Sequence, residues 1–441
     1  MARQGSGQPL GVVTPLGVVS LDARGLMAQQ RPPRYDAVIV GAGPAGSTAA
    51  ISMRRHDPTA RVALVDAQPF PRDKACGDGL GPGVSRVLEA LGLGGLLADA
   101  TSPQDVTVVG PDATEARAQG PVISGRDLRG HVLRREVFDA RLVQAAANAG
   151  AEVITARFTA TSWAEGRRRV TLRADGATRE LDTALLVGAD GANSTVRRAI
   201  GIPKPTDRTR HIAMRAYCDL PATTREPALH LDFDASLLPG YGWVFPLGGG
   251  VANIGVGLPL AIAKSRQLNL RELLDTFVAS LGARGDEVTN VQRLRGHHLP
   301  HSAGLSRMTA PRAAVIGDAA GTINALSGEG IYHGMRAGLE LGRALADHDD
   351  RPDVHHRLGQ FELAFKRRLR SHFAGSLAAH KLMRFQPCAH AAVRAAAADR
   401  KVIDSTALML FDDGSLQAST ALRILGHMAR PNTWMATPAR R

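Results

Sequence analysis

The feature that most constrains the fold is an apolar run, Tyr35-Asp36-Ala37-Val38-Ile39-Val40, that passes without interruption into Gly41-Ala42-Gly43-Pro44-Ala45-Gly46 and then Ser47-Thr48-Ala49-Ala50. It reads as a buried strand, a glycine turn and a helix. Gly41 permits the tight turn, Gly43 lets a pyrophosphate approach the backbone N–H groups, and Gly46 lets the helix pack on the strand. The helix N-terminus adds partial positive charge for the phosphates. A second strand, Arg61-Val62-Ala63-Leu64-Val65, ends in Asp66 at the spacing of a ribose-binding acid. A carboxylate there accepts hydroxyl protons and repels phosphate, which favours a free ribose diol.

Two later segments repeat the theme. Leu185-Leu186-Val187-Gly188-Ala189-Asp190-Gly191 runs from an apolar strand into a glycine and acid turn, and Ala313-Ala314-Val315-Ile316-Gly317-Asp318 does the same. The first resembles the second flavoprotein fingerprint, and the last resembles the GD motif that holds the ribityl region of FAD. In this order the segments resemble the para-hydroxybenzoate hydroxylase fold group. That resemblance implies FAD as cofactor and matches Arg134, in Leu133-Arg134-Arg135-Glu136, to an arginine beside it. A helix starting near Gly330, after Leu326-Ser327-Gly328-Glu329, would aim its N–H groups at the flavin and favour the reduced, anionic state. Glu329 reads equally as a capping residue.

Two more motifs narrow the family. Lys74-Ala75-Cys76-Gly77 resembles the KxCG motif of geranylgeranyl reductases, and Tyr241-Gly242-Trp243-Val244-Phe245-Pro246 resembles their YxWxFP signature. The resemblance covers about 35–345. It implies contacts to the cofactor from Gly41, Gly43, Ala45, Gly46, Asp66, Lys74, Cys76, Gly77, Arg134, Asp190, Gly191, Gly317, Asp318, Gly328, Gly330 and Ile331. It also puts Cys76 near the isoalloxazine, and Tyr241 and Trp243 on the substrate cavity. Cys76, Tyr241 and Trp243 are therefore the candidate catalytic residues. Tyr241 and Trp243 share one strand face at period two, so they can wall an apolar slot or simply pack a core. The sequence departs from its group at Ala325, where proline is common, and at Leu247, where the signature often has lysine.

Composition excludes several classes. Cys76, Cys218 and Cys388 have no CxxC spacing, so neither a disulfide framework nor a structural zinc site is expected, and a reducing cytoplasm is the natural compartment. The formal charge of +13 would attract anions, but with 4% aromatic residues a stacking surface for nucleic acid is not expected. No apolar stretch approaches the roughly 20 residues of a membrane-spanning helix. A basic stretch from Lys366 to Arg384, with Phe361, Leu363, Phe365, Leu369 and Phe373 nearby, is a candidate peripheral membrane contact. A helix packed on the cofactor domain accounts for it equally.

The expected fold class is α/β. A doubly wound FAD-binding domain comes from 35–105, 130–205 and 300–345, and a sheet-containing substrate domain from 106–129 and 206–299. A helical region occupies 346–441, and 1–34 is expected to be a disordered arm within which Met27 is a candidate start. The leading expectation is an FAD-dependent reductase saturating carbon–carbon double bonds of a small apolar or isoprenoid substrate, with NADPH or a ferredoxin as candidate electron donor. The alternative is a flavin-dependent monooxygenase of an aromatic or polyketide substrate. A halogenase fits less well because the motif reads GWVFP. A cyclase or isomerase without net redox change and a non-catalytic flavin-binding protein complete the competitors.

Overall fold

A computed structural model describes residues 31–119, 122–123, 126–127, 129–221, 228–305, 307–346 and 354–428; the expected arm over 1–30 lies outside them. The strand Arg34–Val40 is central to the first sheet. Its apolar end is buried on both faces, as parallel strands covered by helices are. Val62–Asp66 and the end of Ala177–Gly188 flank it in parallel, and Glu152–Thr155 and Ala313–Val315 extend the parallel set outward. An antiparallel hairpin, Arg157–Ala164 and Arg167–Ala174, continues the sheet beyond Ala177–Gly188.

The helix Pro44–His56 begins with proline, whose fixed φ and missing N–H suit the first helical turn. It packs against the helix Ile331–Ala346 at very close range. A Cβ on Gly338 would stand 2.5 Å from the Ala45 carbonyl oxygen, and one on Gly342 2.3 Å from Ser52 Oγ. Gly334, Gly338 and Gly342, spaced at i, i+4 and i+8, thus form the groove that admits the first helix.

The second sheet runs in the order Thr289–Pro300, Arg210–Asp219, Val251–Pro259, Tyr241–Gly248, Ala228–Asp232, Asp105–Val109, Glu115–Gln119. Only Ala228–Asp232 and Asp105–Val109 are parallel, so the sheet is mixed, as the proline- and glycine-punctuated alternation suggested. The α/β class, the doubly wound cofactor domain and the helical C-terminal region are all present.

That helical region is divided between the two cores. Phe361, Phe365, Leu369 and Phe373 of the helix Val354–Met383 are buried in the core of the first sheet. For these side chains the second of the two readings holds, a helix packed on the cofactor domain, and of the apolar set only Leu363 is exposed. The helices Gln386–Ala398 and Arg400–Phe411 pack Val393, Val402, Ala407 and Leu410 under the second sheet beside Leu231 and Trp243. Among the described residues no helix is long and apolar enough to cross a membrane.

The glycine turn yields a direct test. Gly41 has φ 103°, and a Cβ on Gly46 would lie 1.9 Å from the Gly41 carbonyl oxygen. Gly46→Val must push the helix off the strand and close the phosphate approach. The purified variant is expected to carry no flavin absorbance while circular dichroism shows retained helix; a variant that keeps stoichiometric flavin contradicts this account.

Candidate active site

Between the two sheets lies one continuous cavity whose walls come from both. On the first sheet's side it is bordered by Gly43, Pro44 and Ala45 of the glycine turn, by Gly191, and by Gly317 and Asp318. These segments, remote in sequence, meet because parallel strands deliver their C-terminal turns to one edge. A Cβ on Gly43 would have Arg135 Nη2, at 3.9 Å, as its nearest neighbour, so the backbone there is open to a ligand from the cavity side. Asp66 accepts the Ala42 N–H at 2.9 Å, which ties the acid to the turn, and pairs with Arg72 at 3.0 Å. A dinucleotide cradle with a ribose acid is what these residues fit. Lys74 Nζ lies 3.5 Å from Asp318 Oδ2 and borders Gly191, so a single side chain joins the later cofactor segments.

Asp190 is hydrogen-bonded within the protein at a helix start. Its carboxylate accepts the N–H groups of Thr195 at 2.7 Å and Val196 at 3.0 Å and both neighbouring hydroxyls, Ser194 and Thr195. It fills the first two N–H groups of the short helix Thr195–Ala199 beside the N-cap Ser194, and Gly191 faces the cavity.

Arg134 packs on a neighbouring ring. Its guanidinium lies over the Tyr217 ring, 4.8 Å from the centroid, and it is absent from the cavity wall. Arg135 stands there instead, buried and held by Asp139 at 2.6 and 2.8 Å. Arg134 occupies the cap position of the helix Arg135–Asn148, so the next residue is the one that turns inward. The i, i+4 spacing of Arg135 and Asp139 was the available signal.

The Lys74–Gly79 loop forms the third side. Asn253 donates to the Cys76 carbonyl and to Asp78 Oδ2, each at 2.8 Å, and accepts from Trp243 Nε1 at 3.0 Å. Asp78 also receives the Tyr217 hydroxyl at 2.8 Å and the Arg135 N–H at 3.1 Å. Asp78 and Asn253 were missed in the sequence; an amide inside the apolar strand Val251–Pro259 was their only mark. A Cβ on Gly77 would lie 3.2 Å from Trp243 Nε1 and 3.3 Å from Phe245 Cε2, so the two reductase-like motifs touch. Cys76 opens onto the cavity. Burial pushes its thiol above the ordinary range, opposed in part by the Arg135 guanidinium.

Tyr241 and Trp243 wall the cavity with Phe245, ring centroids 6.1 and 6.4 Å apart in sequence. The Tyr241 hydroxyl donates to the Ser327 carbonyl and the Trp243 indole to Asn253, so both polar tips are engaged. Gly328 sits under the Tyr241 hydroxyl, and Gly330 and Ile331 continue the wall into the helix Ile331–Ala346.

Glu329 is the capping residue of that helix, accepting the Tyr332 N–H at 2.7 Å, yet it lines the cavity. Burial pushes its carboxyl up to about 7. His333, 3.1 Å away, is held down at about 3 by burial and by His372, so the contact is not an ion pair at neutral pH. Because the folded value exceeds the ordinary 4.5, the folded state binds the extra proton and stability falls as pH rises from about 4.5 through about 7. Glu329→Gln, which keeps an acceptor for Tyr332, is expected to flatten that fall in thermal melts; parallel pH profiles for variant and wild type contradict the assignment.

The FAD binding domain family matches residues 34–351. The menaquinone reductase of Mycolicibacterium smegmatis is 36% identical over 327 residues, 71% of this chain and 76% of that protein. Digeranylgeranylglycerophospholipid reductase 1 of Methanothermobacter thermautotrophicus is 30% identical over 336 residues, 74% of this chain and 81% of that protein. The crystal structure of a geranylgeranyl bacteriochlorophyll reductase-like protein from Thermoplasma acidophilum superposes with a TM-score of 0.75 at 20% identity, covering 90% of this chain and 96% of that one. With the glycine turn, the GD segment and the cysteine loop gathered on one cavity, the chain belongs to the geranylgeranyl reductase-like family of FAD-dependent oxidoreductases.

Proposed function

We propose that the protein saturates carbon–carbon double bonds of an isoprenoid or comparable apolar substrate. The observation that carries this reading is the contact of Gly77 with Trp243 and Phe245, which sets a thiol-bearing loop against an aromatic wall at the cofactor cradle. The named activities of the relatives support it, since both concern molecules with polyprenyl chains.

FAD held by the Gly43–Ala45 turn, Lys74 and Asp318 would, once reduced, supply a hydride to one alkene carbon. An isolated alkene accepts hydride poorly, so a proton must reach the other carbon in the same event. Cys76 is the proton donor in this proposal. Burial keeps its thiol protonated, and Arg135 stands ready to stabilise the thiolate left behind. Val106, Ala118, Leu229, Leu231 and Leu326 give the cavity an apolar arm for the chain and exclude water from it.

With dithionite-reduced enzyme and no dioxygen, a geranylgeranyl lipid or a polyprenyl quinone is expected to gain one hydrogen pair per turnover by mass. Cys76→Ser is expected to slow this roughly 100-fold at constant FAD content, the scale of a lost general acid. Incorporation of an oxygen atom from labelled dioxygen would instead establish the monooxygenase alternative.

An embedded substrate needs access, and the surface that fits it lies at the C-terminal helices. Leu382 at the end of the helix Val354–Met383, Phe385 in the turn after it, and Leu422 and Leu425 on the helix Ala418–Met428 are exposed, both helices packing on Gln386–Ala398, with Lys381, Arg384 and Arg423 among them. Peripheral binding there predicts flotation with anionic vesicles at low salt, lost at high salt and in Leu382→Ser/Phe385→Ser. Equal flotation of the variant refutes this surface.

A further inference from the structure

A concentration of arginine at one end of the cavity, with Arg215 and Arg295 in its wall, has no part in the chemistry above. Arg134, Arg215 and Arg293 hold their guanidinium carbons 4.8, 4.6 and 5.4 Å from the centre of one ring, Tyr217. Arg295 pairs with Arg215 across adjacent strands. Asp73 takes Arg215 at 2.5 Å, Arg295 at 2.9 Å and Arg293 at 3.4 Å. Glu136 takes Arg293 at 2.9 Å and Arg134 at 3.7 Å. Four guanidiniums are thus matched by Asp73 and Glu136, with Asp78 behind the Tyr217 hydroxyl as a third carboxylate, and the surplus is still positive. Despite its burial, Asp73 is held below the usual carboxylate range by Arg215 and its neighbours, so it stays ionised and the clamp stays intact.

Arg215 is buried, and the other three guanidiniums face outward. Arg293 has φ 55° at a register shift between the Arg215 and Tyr217 pairs, on the edge strand Thr289–Pro300. A bulge at an edge re-aims a side chain, and here it brings a guanidinium round to the ring. The Arg134, Arg293 and Arg295 side chains remain 37%, 39% and 55% exposed, so an incoming anion can reach them. Burial and the nearby Lys74 push His297, between Arg295 and the cradle, down to about 4, so it adds no charge at neutral pH.

Position separates this cluster from both the flavin's phosphates and the apolar arm. The flavin's diphosphate has its own seat at the Gly43–Pro44 turn. Asp73 immediately precedes Lys74, which bridges to Asp318, so the cluster stands beside the cofactor cradle. Leu229 and Leu231 lie on Ala228–Asp232, three strands away from Arg215 and four from Arg295 in the sheet order. At a spacing of about 4.8 Å per strand, that separates the charged end from the apolar end by roughly 14–19 Å.

We infer that this cluster is a subsite for a phosphate ester, and that it seats the phosphates of a nicotinamide dinucleotide that reduces the flavin. Guanidinium forks recognise phosphate oxygens bidentately, and stacking on Tyr217 holds the forks in place before the ligand arrives. Seated there, NADPH would pass a hydride with its electron pair to oxidised FAD and leave as NADP⁺. The inference rests on the reductase reading of the FAD site.

The test uses the FAD-loaded enzyme, titrated calorimetrically with NADP⁺ and assayed with NADPH, NADH and dithionite. Arg295→Gln is expected to weaken NADP⁺ binding about tenfold and Arg293→Gln/Arg295→Gln further, as loss of charge-assisted contacts does. KM for NADPH should rise in step, while flavin content and the dithionite-driven rate stay at wild-type values. Loss confined to NADPH assigns the 2′-phosphate, and equal loss with NADH assigns the diphosphate; either supports the subsite. If the variants bind NADP⁺ normally but bind geranylgeranyl diphosphate weakly, the phosphate is the substrate's and the donor assignment falls. If neither ligand is affected, the subsite itself is overturned. Failure of the reductase reading is separately visible, as absent alkene reduction by dithionite-reduced wild type with NADP⁺ binding intact.

Discussion

The molecule depends on one buried carboxylate. Asp78 sits at φ 61° between the sheets, and an ionised group so placed is tolerable only when its lone pairs are filled. Tyr217 and Asn253 fill them from the second sheet, and the Arg135 N–H fills them from the helix beneath the first. The Asp78 carbonyl in turn receives the Leu133 N–H at 3.0 Å. Burial still pushes the Asp78 carboxyl above its ordinary range, so these donors offset the cost only in part. The consequence is positional: the loop that carries Lys74 and Cys76 is fixed to both domains at once, and the cavity cannot widen by sliding one sheet over the other without breaking that network.

A second joint closes the opposite wall. Asn324 accepts the N–H groups of Leu326 at 2.8 Å and Ser327 at 3.1 Å and donates to the Met409 carbonyl at 3.2 Å. Its amide also lies 3.1 Å from His372 Nε2, whose other nitrogen contacts the Gly414 carbonyl at 2.7 Å. The glycine-rich stretch before the helix Ile331–Ala346 is thereby stapled to the C-terminal helices. Those helices are structural parts of the cavity, since Leu410 and Phe411 lie in its wall.

Much of this was legible in the sequence because the constraints are local. A strand, a glycine turn and a helix need particular residues at fixed offsets, and Gly41, Gly46 and Gly317 stand where a Cβ or a negative φ would not fit. What depends on orientation was not legible. Arg134 and Arg135 are adjacent, and only the helix start decides which guanidinium turns inward. Asp190 in a glycine turn suits a ligand and a helix cap equally, and its hydrogen bonds go to the cap. The phenylalanines from Phe361 to Phe373 carry a helical pattern that a membrane or a protein core would satisfy alike, and the core of the first sheet takes them. Asn253 and Asp78 lie far apart in sequence and belong to no shared motif, so their pairing existed only once the sheets were assembled.

The proposed function requires that the Lys74–Gly79 loop, in contact with the aromatic strand Tyr241–Gly248, borders the reactive edge of the bound flavin. A crystal structure of the protein with FAD bound tests this most directly. The account predicts the isoalloxazine between Cys76-Gly77 and the Gly328–Ile331 segment, with Tyr241 and Trp243 on the open side and the diphosphate at Gly43. An isoalloxazine turned away from Cys76, or a diphosphate seated among Arg215, Arg293 and Arg295, would contradict it.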